Sequence, residues 1–290
     1  MHEPDNALKP TNVVVIRFSV RKKDFERKFL PNKRGRDSWF KFRARLFEAS
    51  IEPALSAQSV KPAAVFLYFD VEDVGLVSQS FSRMSFIPIY AFDTHEQLMG
   101  KHVLDLGLEE HVVISRIDSD DVVERNYLLK INSLLSMRHQ LGQLAEEVNV
   151  VSRSGFRTNF RKTQRVTHVS PPFVSRYFRR YAGQGAYFDH TRISEQMTPR
   201  ILDDSAEWLQ IIHGTNVANK FKPASRGSRA DPAEVDESWF GPTEDFDRDW
   251  FTSWSGINPI PAEWFDAESL PLEGFRAKAR HTVRRWLGQA

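Results

Sequence analysis

Four short apolar runs alternate with four stretches of helical spacing between Val13 and Leu144, and no other feature restricts the fold as much. Val13–Val20, Ala63–Phe69, Phe86–Phe92 and Val112–Ile117 read as strands by length and β-branched or aromatic content. Trp39–Gln58, Glu72–Met84, a segment opening at Thr94, and Asp121–Leu144 read as the helices between and after them. Thr94 with Gln97 makes a capping box. Pro53 is expected to kink or break the first helix, and Pro88 places the third strand at an edge or a bulge. Strands alternating with helices build right-handed βαβ units. The expected fold is therefore α/β, a Rossmann-like, mostly parallel sheet flanked by helices. No Gly-rich loop follows any of the strands, which removes the dinucleotide fingerprint and the P-loop.

The fourth run ends at Asp118-Ser119-Asp120-Asp121. Open α/β sheets bind ligands at the carboxyl ends of their strands, where this acidic block would stand. Asp118 and Asp120 are two apart, so both face one point only if the chain turns at Ser119, a residue that suits a turn. Converging hard oxygen ligands suit Mg²⁺ or Mn²⁺, and such an ion suits a diphosphate. The plainer alternative is a turn followed by a helix cap at Asp120 or Asp121.

Beyond residue 145 the rhythm changes. Val148–Ser152, Arg165–Val169, Gly185–Phe188 and Glu207–Ile212 look like shorter strands, the last running into His213-Gly214-Thr215-Asn216. Residues 221–250 are rich in Pro, Gly, Ser and acid and read as a loop. Pro271–Leu287 reads as a basic amphipathic helix.

The charge is nearly balanced at +2, but it is distributed in blocks. Residues 21–45 hold eleven basic and three acidic side chains, residues 151–180 eight basic and no acidic ones, and residues 231–250 eight acidic and one basic. Basic blocks of this kind are solvated faces or collectors of a phosphorylated ligand. With no cysteine among the 290 residues, disulfides and thiolate-held zinc are excluded. No signal peptide is expected, since Val13–Val20 is too short and is followed by charge, and no run approaches the roughly 18 apolar residues of a spanning helix. The expected location is cytoplasmic, with peripheral contact to the inner membrane through the terminal helix as the alternative to that helix packing on the domain.

Several segments together resemble a bacterial rhamnosyltransferase family of the A-type glycosyltransferase fold. They are Phe47-Glu48, Pro53 to Ser59, Phe66 to Asp70, Ser115 to Asp121, Pro172 to Ser175, and Trp208 to Asn216. The similarity runs from about residue 13 to 220, and Arg116-Ile117-Asp118-Ser119-Asp120-Asp121 and the Trp208 block are its most specific parts.

The resemblance implies one glycosyltransferase domain over 1–220. Residues 12–145 would bind the nucleotide sugar and 146–220 the acceptor, with 221–290 as an acidic loop and a C-terminal helix packed on the same domain. It implies a nucleotide-diphosphate sugar donor, a glycan or lipid-linked acceptor, and a divalent cation, Mn²⁺ or Mg²⁺. Asp120, Asp121 and His213 would hold the metal. Arg17, Asp70, Arg116, Asp118 and Asp120 would contact the donor, with Arg116 favoured as a partner of the aspartates. An inverting transfer needs a general base, for which Asp189 is the first choice and Glu195 the second, ahead of Asp203, Asp204 and Glu207.

Two other classes compete. A nucleotidyltransferase or similar phosphate enzyme would use the same carboxylates, but it calls for a Gly-rich loop after the first strand. A basic binding module would stack bases on Phe156, Phe160, Phe173, Tyr177 and Phe178, but the near-neutral charge and the acidic loop argue against nucleic acid.

Overall fold

The computed structural model describes residues 8–20, 33–81, 86–91, 95–160, 162–167, 173–184, 198–205, 207–213 and 228–230, with 239 and 249. It is a mixed α/β structure. Strands β1 (Thr11–Arg17), β2 (Ala64–Phe69), β3 (Ile87–Tyr90) and β4 (Glu110–Asp118) alternate with helices α1 (Lys33–Ser56), α2 (Val74–Ser80) and α3 (His95–Leu104). A short strand β5 (Asp121–Val123) and helix α4 (Tyr127–Gln140) follow. The second half adds β6 (Glu147–Ser152), β7 (Ser154–Thr158), β8 (Thr163–Thr167), β9 (Val174–Arg180), β10 (Arg200–Asp203), β11 (Trp208–Ile211) and β12 (Ser228–Ala230).

The main sheet has seven strands in the order β10-β6-β9-β4-β1-β2-β3. The β1, β2, β3 and β4 pairings are parallel, while β9 runs antiparallel between β4 and β6. The runs Val13–Ile16 of β1 and Ala64–Phe69 of β2 are apolar throughout because these parallel strands are covered on both faces. Alternation along β1 divides them: Val14 and Ile16 join a core with Phe40, Phe47, Leu128 and Ile131 of α1 and α4, whereas Val13 and Val15 pack with Met99 and Val103 of α3. Phe18 sits 5.2 to 5.9 Å from the rings of Phe40, Phe47, Phe69 and Phe81. Pro88 lies on the edge strand β3, as its missing N–H requires.

A second sheet, in the order β12-β8-β7-β11-β5, stands beside the first. Residues of the second half also complete the main sheet, since β6, β9 and β10 all belong to it. β12 pairs with β8 and Trp239 packs edge-on to Phe156 at 6.0 Å, tying two points of the 221–250 region to this sheet. Apart from Asp249, the rest of that region, the Gly185–Phe188 strand and the Pro271–Leu287 helix lie outside the described residues.

Two local readings change. Helix α1 starts six residues before Trp39 and does not break at Pro53: the helix is ending there, and Ala57 N–H still bonds the Pro53 carbonyl at 2.8 Å. The helix expected from Asp121 begins only at Tyr127. Asp121–Val123 is instead a strand, because β11 supplies its partner: Gln210 faces Asp121, Leu209 faces Val122 and Trp208 faces Val123. Neither Asp120 nor Asp121 caps a helix. Gln58 serves α4 from outside, donating to the Glu124 carbonyl at 2.7 Å and accepting from Leu128 N–H at 3.2 Å.

Candidate active site

Because β1, β2 and β4 are parallel, their carboxyl ends share one edge. Arg17 is level with both Asp118 and Tyr68, and Asp70 follows Phe69 directly. The chain turns at Ser119-Asp120 and leaves along β5. That reversal lays Asp121 against Gln210 and lets the end of β11 deliver His213 to the turn. Helix α1 covers the same point with Trp39, Phe42 and Arg43.

The centre of the site is a triangle of Asp120, His213 and Arg43. Arg43 Nη1 lies 2.5 Å from Asp120 Oδ2 and 3.2 Å from His213 Nε2, and His213 Nε2 lies 3.1 Å from Asp120 Oδ2. Arg43 Nη2 donates to Ser119 Oγ at 2.5 Å. The Arg43 guanidinium also lies 5.7 Å from the Trp39 ring, and the His213 ring lies 5.7 Å from that of Phe42. All three triangle residues are buried.

Burial alone would raise Asp120, but the Arg43 charge and the hydrogen bonds from His213 and Arg43 hold its carboxyl below the usual range. His213 is lowered by its own burial, against the pull of Asp120, and so favours the neutral ring. Asp121 goes the other way. Burial raises it, and the charges of Asp120 and Asp118 raise it further. Its Oδ2 accepts from Gln210 at 3.4 Å, Arg157 Nε in turn donates to Gln210 Oε1 at 2.8 Å, and Asp121 Oδ1 is buried without a hydrogen-bond partner among the described residues. Asp118 is the member that meets solvent, with its side chain 29% exposed and paired to Arg116 Nη2 at 3.2 Å.

Asp120 and His213 are thus brought together, and Arg116 pairs with an aspartate as the sequence favoured. The three-ligand metal set does not assemble in this arrangement. No three His, Asp or Glu side chains converge to hold an ion among the described residues, and the Arg43 cation stands on both Asp120 and His213. Asp70 is at the expected edge, but its carboxylate caps a 3₁₀ turn at Val71–Asp73, accepting from Glu72 N–H at 2.9 Å, with Arg36 Nη2 at 3.7 Å. Asp203 accepts from Ser205, Asp204 pairs with Arg153 and Glu207 with Arg165. Asp189 and Glu195 lie outside the described residues.

Arg43, Gln210 and Arg157 were not anticipated. Arg43 carried a signal: it is an arginine on the helix stripe formed by Phe40, Phe47 and Ile51, all buried.

No family model and no curated protein matches the chain. Solved structures give distant matches. S. aureus TarS 1–349 is 12% identical over 50% of this chain and 36% of its own, with a TM-score of 0.29. The chain therefore spans little more than a third of that structure. The same S. aureus protein in complex with UDP is 11% identical over 89% of this chain and 70% of its own, at 0.36. A 4-diphosphocytidyl-2C-methyl-D-erythritol synthase from Anaerococcus prevotii is 10% identical over 68% of this chain and 90% of its own, at 0.34. Scores this low assign neither a family nor an activity.

Proposed function

We propose that the chain is a glycosyltransferase that takes a sugar from a nucleotide-diphosphate donor and passes it to a hydroxyl of a glycan or lipid-linked acceptor. One observation carries the reading. The two most specific blocks of the family resemblance, Arg116–Asp121 and Trp208–Asn216, meet in space as Asp120 and His213 at 3.1 Å. They meet at the carboxyl edge of parallel strands, where this fold class binds ligands.

The donor would lie along that edge. Its base and ribose would face Asp70 and Arg17, and its diphosphate the Asp118–Asp120 turn and the arginines Arg43 and Arg116. In the transfer, the bond between the anomeric carbon and the diphosphate oxygen breaks and its electron pair leaves with the diphosphate. The acceptor oxygen bonds the anomeric carbon and gives its proton to a base, for which Asp189 and Glu195 are the sequence candidates. Rhamnose is the sugar the resemblance suggests.

The test is release of nucleoside diphosphate from a panel of UDP-, GDP-, dTDP- and CDP-sugars. One base should be preferred, and Asp120→Asn should cut turnover by about 100-fold while the protein stays folded. Turnover of none, or an Asp120→Asn variant as active as the parent, would refute the proposal.

A further inference from the structure

We infer that Arg43 occupies the place a divalent cation would take, so that the donor's diphosphate is held by a guanidinium built into the chain and binds without metal. This rests on the glycosyltransferase reading above.

The geometry supports it at four points. Arg43 Nη1 contacts two of the three residues that the resemblance makes metal ligands, Asp120 at 2.5 Å and His213 at 3.2 Å. An ion bound to Asp120 Oδ2 at the usual distance of about 2.0–2.6 Å would share that oxygen with Nη1 and set two cations side by side. The guanidinium is fixed: its side chain is 8% exposed, held by Ser119 on one side and faced by Trp39 on another. Its Nε is buried with no hydrogen-bond partner among the described residues, and a planar guanidinium takes phosphate oxygens in a fork.

A single guanidinium carries half the charge of Mg²⁺ or Mn²⁺. The second unit stands beside it, as Arg116 paired to Asp118 at 3.2 Å. Each of these two carboxylates is answered by an arginine, and an arriving diphosphate would meet both. The charge that develops on the leaving oxygen as its bond to the anomeric carbon breaks would fall against these arginines.

The experiment is calorimetric titration of UDP, GDP, dTDP and CDP into the full chain, in EDTA and again in Mn²⁺. The dissociation constant of the preferred nucleotide should agree within about threefold between the two conditions, and in EDTA Arg43→Gln should weaken it by about tenfold or more, with Arg43→Lys between. Melting temperatures report whether the variants fold, and the comparison of EDTA with Mn²⁺ on the parent stands without them. Binding that requires Mn²⁺ overturns the inference and leaves the glycosyltransferase reading intact. Unchanged affinity in a folded Arg43→Gln also overturns the inference alone. Binding of none of the four under either condition overturns both.

Discussion

His213 Nε2 lies 3.1 Å from Asp120 Oδ2 although 93 residues separate them. Two structural decisions make the contact. The chain reverses at Ser119-Asp120 instead of entering a helix, and β11 pairs with the short strand that results. The same pairing sets Asp121 against Gln210, so the acidic block is spread over the end of β4, a turn and the start of β5, with each carboxylate in a different environment.

The β7–β11 contact that positions His213 tolerates no side chain at Gly155. A Cβ there would lie 2.2 Å from Trp208 Cδ2 and 2.4 Å from the Trp208 carbonyl oxygen. Gly155→Ala should cost about 1–3 kcal/mol in urea unfolding. A variant as stable as the parent would mean that β11 is not packed against β7 in this register.

Asp121 gives a signed pH dependence. Its folded carboxyl titrates above the ordinary value of 3.8 because it is buried beside Asp120 and Asp118. Below that value it is protonated in both the folded and the unfolded chain. As pH rises, the unfolded chain releases the proton first, and the fold loses stability. Asn has no proton to lose. Asp121→Asn should therefore match the parent in acid and melt higher at pH 7, with the gap opening as pH rises from about 4. Asp120 contributes with the opposite sign but is present in both proteins. A gap that shrinks with rising pH would contradict the assignment.

Gln58 is buried and bonded to both the Glu124 carbonyl and Leu128 N–H, the groups that open α4. The Glu124 carbonyl also accepts from Tyr127 N–H at 3.0 Å, so Gln58→Leu should cost about 1–3 kcal/mol chiefly by leaving Leu128 N–H unpaired. Hydrogen exchange should show the loss in the first turn of α4, and uniform exchange along the helix would argue against this cap.

How far the sequence led can be seen residue by residue. Val13–Ile16 and Ala64–Phe69 were legible as strands because parallel strands covered on both faces are apolar throughout, and Val112–Ile117 because only Ser115 and Arg116 interrupt its β-branched run. Strand β9 was not, because three of its seven residues are Arg176, Arg179 and Arg180 and the run reads as a basic surface. Asp120 and His213 were legible as motif residues. Asp121 was misplaced on a helix because the partner that makes it a strand, Gln210, is 89 residues away. Arg43 was missed for a related reason: its charge looked like one of eleven in a basic block, and only the fold shows that it is buried against Asp120.

The most direct test of the donor site is imidazole NMR of the folded protein in Mg²⁺ buffer during titration with the preferred nucleoside diphosphate. Nine histidines contribute signals, and the His213 resonance is the one lost in His213→Gln. The account predicts that His213 shifts more than any other histidine and that Asp120→Asn suppresses the shift. Saturable binding that leaves His213 unmoved while another histidine responds would put the nucleotide elsewhere and contradict it.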